Sequence, residues 1–435
     1  MSAIDVDDNL LGGAATASNS PSKGAMDTHQ LADVEINIAH FPPAKVPTTP
    51  VLSMASLRGE GGKHVPSVLD AAQVKFVTSG RVAIGIALKQ MGVGPGDTVL
   101  VPSYHCASMI EPIIWAGAKP VFYRIHRDTS VDLDDIAAKI DGSTKVVMAT
   151  NYFGFPQDLP ALRALVDARG LKLLEDCAHS FLGECKGKPI GSYGDYAIAS
   201  SMKFFPIYEG GCLVSARHSL ASVNLHSAGL GFEAKVAFNT LEDGFEYRRL
   251  AGIKILLWLP MALKNFLWRQ IKARKTNGVK SLSPGSSDGG FGFDPNWLGI
   301  RSSYFARTIL KLTSRRRMAD LRRANYLKLF DALRELPGCR PLFPTLPDGV
   351  YPWVFPLIVE DTKRVFKVLK CDGVPIIRFG EYLWEGVDAS VCAASVELSQ
   401  GVLQFPCHQE LRPEEIDWMI AKIKGALQTQ RAQLA

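Results

Sequence analysis

Short, nearly unbroken apolar runs recur along this chain, separated by longer stretches of helical period. Lys75-Phe76-Val77 and residues 98–101, 121–123, 145–149, 171–174, 196–199 and 212–214 read as strands. Residues 81–91 are apolar almost all round, which predicts a buried helix, and Gly92 with Gly94-Pro95-Gly96 ends it. Asp158 caps a further helix that carries Pro160 in its first turn, and Gly170 closes it. Strands of this kind alternating with helices predict an α/β fold whose mostly parallel sheet is covered on both faces. Ligands of such sheets collect at the carboxyl ends of the strands. Asp176, His179, Lys203 and the turn at Gly80 all fall at or just after such ends.

Beyond the sheet the pattern changes. Residues 1–45 are rich in Ser, Ala, Gly, Asp and Asn and read as a disordered tail, with order expected from about Val65. Residues 216–295 read as an insertion, containing a strongly apolar segment with Trp and Lys at 253–272 and a Gly/Ser-rich loop at 277–292. The apolar segment is too short and interrupted to span a bilayer; burial in a dimer or contact with a membrane surface would both suit it. A long helical pattern over 301–336 leads into a strand at 353–359. The last helix opens at Pro413 and has Ile416, Met419, Ile420, Ile423 and Leu427 on one face. The expected division is a large domain over 46–315, with that insertion, and a smaller α+β domain over 316–435.

Composition narrows the function classes. The 435 residues are 47% hydrophobic, ample for a sizeable core, and carry a net charge of +6. That excess suits an anionic small substrate and is too small to argue for nucleic acid. The basic run Arg315-Arg316-Arg317, with Arg322 and Arg323, reads as a solvated helix face or a phosphate-facing rim, because no groove-reading motif accompanies it. Eight cysteines without a CxxC pair or metal-ligand cluster read as reduced thiols of a cytoplasmic protein, and no metal site is expected. The N-terminus shows no basic-then-apolar leader pattern.

Chemistry concentrates in residues 200–211, where Ser200, Ser201 and Met202 lead from a strand into Lys203, and Glu209-Gly210-Gly211 follows. Burial at a strand end disfavours an ammonium, and a neutral amine is what a Schiff base with an aldehyde cofactor requires. Asp176 at the neighbouring strand end can hold a proton on a pyridine nitrogen; a helix cap or an ion pair would serve it equally, and His179 could be a core imidazole. The small-residue turn Thr78-Ser79-Gly80 opens a helix, offering free N–H groups and the positive dipole end to a phosphate.

Taken together, these pieces resemble the DegT/StrS family of sugar-nucleotide aminotransferases. The matching motifs are Thr78-Ser79-Gly80, Val101-Pro102-Ser103-Tyr104, Ala116-Gly117-Ala118-Lys119-Pro120-Val121, Glu175-Asp176-Cys177-Ala178-His179, Lys203 with Glu209-Gly210-Gly211, and Leu403-Gln404-Phe405-Pro406-Cys407-His408. The resemblance implies fold type I, pyridoxal 5'-phosphate (PLP) as cofactor and a homodimer. It implies Lys203 as the cofactor-bearing lysine, Asp176 as partner of the pyridine nitrogen and His179 on the ring-oxygen side. Ser200 or Ser201 resembles the phosphate-binding serine, and Gly80 and Arg81 stand where the family has Gly-Thr. Cys106 takes the place of the ring-stacking aromatic, so that the stacking either passes to His105 or is lost. Gly299-Ile300-Arg301 stands in place of the family's Asn-Tyr-Arg loop, without the asparagine.

The expected activity is transfer of an amino group, with glutamate as the expected donor, to a nucleotide-linked keto sugar for polysaccharide or glycan biosynthesis. A PLP-dependent sugar dehydratase is a rival, though related dehydratases replace the lysine with histidine. A noncatalytic or membrane-associated scaffold keeping the fold is another.

Overall fold

The computed structural model describes residues 41–57, 64–250 and 293–434. Most of the expected tail, the apolar segment at 253–272 and the loop at 277–292 lie outside the described residues. Residues 41–45, expected in the tail, are packed: Phe41 meets Phe366 edge-on at 6.4 Å, and the Lys45 N–H donates to Gly373 O. Order therefore begins well before Val65.

The strands are β1 Gln73–Val77, β2 Thr98–Pro102, β3 Lys119–Tyr123, β4 Thr144–Thr150, β5 Lys172–Asp176, the hairpin β6 Glu184–Cys185 and β7 Lys188–Pro189, β8 Tyr196–Ala199, β9 Gly211–Ser215, β10 Cys339–Pro341, β11 Val354–Val359 and β12 Val402–Pro406. The described helices are α1 Gly80–Gln90, α2 Ala107–Trp115, α3 Leu133–Lys139, α4 Leu159–Ala168, α5 Leu230–Glu246, α6 Tyr304–Leu312, α7 Arg315–Leu333, α8 Thr362–Cys371, α9 Ala389–Gly401 and α10 Pro413–Leu434. Seven strands form one sheet in the order β1-β9-β8-β5-β4-β2-β3. It is parallel from β8 to β3; β9 alone runs antiparallel to its neighbours β8 and β1. Strands β2, β8 and β9 are buried throughout, as a sheet covered on both faces requires. A second sheet, β10-β11-β12, is antiparallel. The expected α/β architecture, a large mostly parallel sheet with a smaller C-terminal α+β part, is the one observed.

Local chemistry sets the helix ends. Ser79 caps α1 by accepting the Val82 N–H, and Asp158 caps α4 by accepting the Ala161 N–H. The helical pattern over 301–336 proves to be two helices, because Thr313 leaves the helical region (φ −74°, ψ 127°) and Ser314 then caps α7. On α7 the buried positions are Met318, Ala319, Arg322, Tyr326, Leu329 and Leu333, one face at helical spacing. Arg322 belongs to that face and is 0% exposed, which corrects its expected place on a solvated rim. The rest of the basic run is paired in the chain: Arg315 with Asp70, Arg316 with Asp320 and Arg317 with Glu410. Among the described residues no helix is long and apolar enough to cross a membrane.

Candidate active site

Parallel pairing brings the carboxyl ends of β5 and β8 together, with Asp176 opposite Ile198. Ser200, Ser201 and Lys203 follow two to five residues on, in a turn after β8. Strand β1 ends at the same edge, because Val77 pairs with Gly211 at the start of β9. The turn at Gly80 is held against this edge. A Cβ on Gly80 would lie 3.7 Å from the Ser200 Cβ, and one on Gly211 would strike the Ser79 carbonyl carbon at 2.5 Å. Glycine at 211 lets the backbone that opens α1 approach this edge, whereas the space at Gly80 would accept a Cβ.

The polar atoms gathered here are buried and partly unpaired. Ser200 Oγ, Ser201 Oγ and His179 Nδ1 have no hydrogen-bond partner among the described residues. Such orphans are uncommon in cores and call for an explanation. Asp176 is 2% exposed and its Oδ1 accepts the Ala178 N–H at 2.9 Å. Burial pushes its carboxyl up, opposed by that N–H and by the charge of Lys203. Burial, with Lys203 adding to it, holds the His179 imidazole well below its ordinary range, so it is neutral. Lys203 is itself 8% exposed.

Two residues of this site had no role assigned from sequence. The Lys203 Nζ lies over the Trp353 ring, 4.6 Å from its centroid. That indole also stacks on His179, with centroids 4.0 Å apart and planes 23° apart. The Trp353 N–H donates to Phe153 O, in a turn where Phe153 holds left-handed backbone (φ 58°). Gly154 follows at φ 108°, where a Cβ would strike Pro352 Cα at 2.6 Å. The second residue is Arg322, whose guanidinium reaches the carbonyls of Lys203 and Trp353. Trp353 was visible only as the start of a strand. The signal for Arg322 was an arginine at i+4 from Met318 and i−4 from Tyr326, on the apolar face.

Other expected residues fall differently. Arg81 sits in the first turn of α1 and its Nη2 reaches Ser108 Oγ at 3.4 Å. His105, expected to stack on the cofactor, has one ring face and both nitrogens engaged within the chain. Its ring lies on Phe122 at 4.8 Å, its Nδ1 donates to Ser103 O and its Nε2 accepts the Trp384 N–H. Fully buried, its imidazole is pushed down to about 4. Both ring nitrogens and one face are thus committed to packing. Beside the lysine, a cavity of about 320 Å³ is lined by Thr78, Ser79, Met202, Pro206, Glu209 and Thr240, among others. It touches the sequence neighbours of Gly80 and Lys203, not the amine itself.

Residues 64–250 match the model of the DegT/DnrJ/EryC1/StrS aminotransferase family. Among curated proteins the chain is similar to GDP-perosamine synthase of Vibrio cholerae, 37% identical over 142 residues, which are 32% of this chain and 39% of that protein. It is also similar to UDP-N-acetyl-3-dehydro-alpha-D-glucosamine 3-aminotransferase of Acidithiobacillus ferrooxidans, 34% identical over 145 residues, 32% of this chain and 38% of that one. The chain thus spans less than half the length of these curated relatives. Solved structures share the fold over more of it. A DegT DnrJ EryC1 StrS aminotransferase from Brucella abortus has TM-score 0.56 at 19% identity, covering 82% of this chain and 86% of that one. The PLP form of Spr1654 from Streptococcus pneumoniae has TM-score 0.60 at 16% identity, covering 88% and 99%. The family match thus rests on residues 64–250, and the chain has the fold type I architecture of these structures.

Proposed function

We propose that this chain, whose residues 64–250 carry the DegT/DnrJ/EryC1/StrS family's segment, is a PLP-dependent aminotransferase acting on a nucleotide-linked keto sugar. The observation that carries the reading is the buried Lys203 amine, at the strand ends where Asp176 and three unpartnered polar atoms converge. The residues present fit the cofactor: an amine for its aldehyde, a carboxylate for its ring nitrogen, and unpaired hydroxyls at a helix N-terminus for its phosphate. When bound, PLP supplies an aldehyde that takes an amine and a ring that accepts an electron pair.

The chain's own residues do the rest. The hydroxyl of Ser200 or Ser201, with the N–H groups opening α1, would bind the phosphate. Asp176 would hold a proton on the ring nitrogen, and the neutral His179 would serve the ring-oxygen side. Lys203 Nζ would be the attachment point and, as a free amine, would carry the proton between the donor's α-carbon and the cofactor's carbon. Glutamate is the proposed donor, and the relatives named GDP-perosamine synthase and UDP-N-acetyl-3-dehydro-alpha-D-glucosamine 3-aminotransferase support a nucleotide sugar as acceptor. We place the reaction in the cytoplasm and in a homodimer, with residues 46–315 as cofactor domain and 316–435 as small domain.

Protein reconstituted with PLP is expected to absorb in the visible, and borohydride to fix the label on Lys203. Glutamate should then yield 2-oxoglutarate in the presence of one keto-sugar nucleotide from a panel. Lys203→Ala should lose both label and turnover. A colourless protein, or a label spread over surface lysines and unchanged in Lys203→Ala, would sink the proposal.

A further inference from the structure

We propose that Arg322 is a positioning residue for Lys203: it locks the backbone that carries the lysine to the backbone that carries Trp353, and so fixes the indole as the wall of the amine's pocket.

All five guanidinium N–H groups have acceptors of suitable number and placement. Nε donates to Gln409 Oε1 at 2.9 Å. Nη1 donates to Pro352 O at 3.2 Å and Trp353 O at 3.1 Å. Nη2 donates to Lys203 O at 3.1 Å and Phe204 O at 3.3 Å. The guanidinium also lies over the Phe204 ring at 4.5 Å, and Gln409 returns to the same segment by donating to Phe204 O at 2.8 Å. None of these acceptors is a carboxylate; the nearby Glu410 bonds Arg317 and Ser53.

A buried arginine without an ion pair is a costly choice for packing alone. Burial lowers its pKa only to about 10, so it stays charged at neutral pH. What it gains is geometry: a planar fork reaching two carbonyls on each of two chain segments, which the point charge of lysine cannot do. Those segments come from opposite sides of the site. One follows β8 and carries the amine; the other precedes β11 and carries the indole that faces both Nζ and His179.

The inference rests on Lys203 as the cofactor-bearing amine, so one readout is chosen that needs no cofactor. In the protein without PLP, the rate at which acetic anhydride labels Lys203 is measured by mass spectrometry in wild type, Arg322→Lys, Trp353→Leu and Trp353→Phe. With PLP, affinity and the pH midpoint of the visible band are followed by absorbance, and thermal melting reports the fold. Arg322→Lys and Trp353→Leu are each expected to speed labelling about tenfold, weaken PLP about tenfold and move the pH midpoint, while Trp353→Phe stays near wild type. Unchanged labelling, affinity and midpoint in Arg322→Lys, whatever its melting temperature, would overturn the inference. If Arg322→Lys does not fold, Trp353→Leu decides by the same readouts. If wild type takes no PLP on Lys203 yet the variants change its acetylation, the functional reading fails and the clamp stands.

Discussion

Glu175 and Asp176 are neighbours on β5, equally buried, and their surroundings could hardly differ more. Glu175 is enclosed by donors: Oε1 accepts from Gly191 N, Asn151 Nδ2 and the Cys177 thiol, and Oε2 from Tyr193 N and Gly194 N. Asp176 faces the other side of the sheet end, toward Lys203, where hydroxyls and an imidazole nitrogen have no partners among the described residues. A side chain in a strand alternates faces, so adjacent carboxylates are sent to opposite tasks. The complete shell around Glu175 is what a structural group needs. The incomplete one around Lys203 is what a protein keeps when part of the hydrogen bonding is to come from a ligand. Counting unpaired buried atoms thus separates the two carboxylates without reference to any relative.

The comparison breaks most easily at Glu175. Replacing it with leucine would leave the N–H groups of Gly191, Tyr193 and Gly194 buried and unpaired, each worth about 1–3 kcal/mol. Glu175→Leu should therefore lower unfolding stability by roughly 3–5 kcal/mol, read from chemical denaturation. Burial raises the Glu175 carboxyl and the N–H groups oppose it, so Glu175→Gln, which keeps an acceptor, should cost much less. A leucine variant as stable as wild type would show that the closed shell is not holding the loop after the hairpin.

Glu209 stands between the two cases. Its Oε1 accepts from Ser302 Oγ and Ser303 N, whereas Oε2 is unpartnered in a residue lining the 320 Å³ cavity. Burial, opposed by the Ser302 and Ser303 bonds and helped by Glu233, pushes its carboxyl up from 4.5 to about 7. A carboxyl raised by folding binds its proton more tightly in the native state. Its contribution is intact below the ordinary value near 4.5 and is lost as pH rises through about 7. Glu209→Gln, which does not ionise and keeps the Oε1 acceptor, should match wild type near pH 4.5 and exceed it by up to about 3 kcal/mol above pH 7. Denaturant midpoints at pH 5 and pH 8 check this; an equal difference at both would remove the titration from the account.

How much of this was legible beforehand follows from what kind of signal each residue leaves. Strand runs such as 145–149 and caps such as Asp158 are local, and the seven-stranded sheet follows from them with strand ends within two residues of those expected. Asp176, Ser200, Ser201 and Lys203 were readable as candidates because they lie at a strand end or within four residues after one, where chain order and sheet pairing coincide. Trp353 and Arg322 were not, because they reach the site from the C-terminal part through contacts over more than a hundred residues of chain. Arg322 was masked by its neighbours: three preceding arginines make a charged run, and only the apolar spacing of α7 betrays that this one points inward. For His105 the position beside Cys106 suggested a role, and the structure adds that both ring nitrogens are bonded and one face lies on Phe122.

The smallest effect is the sharpest test of the opening contrast. Ser200 Oγ and Ser201 Oγ are buried and unpaired, so removing either hydroxyl takes away a desolvated group that gains nothing in the free protein. Ser200→Ala and Ser201→Ala should each leave the stability of PLP-free protein within about 0.5 kcal/mol of wild type, or raise it slightly. The same substitutions should weaken PLP binding, the phosphate-contacting serine by about tenfold or more, since a hydrogen bond to a charged group is worth roughly 1.5–3 kcal/mol. The pair of measurements, denaturant midpoint without cofactor and PLP affinity by absorbance, also identifies which serine makes the contact. Two alanine variants that lose several kcal/mol without cofactor and bind PLP normally would mean that these hydroxyls, like the oxygens of Glu175, serve the fold alone.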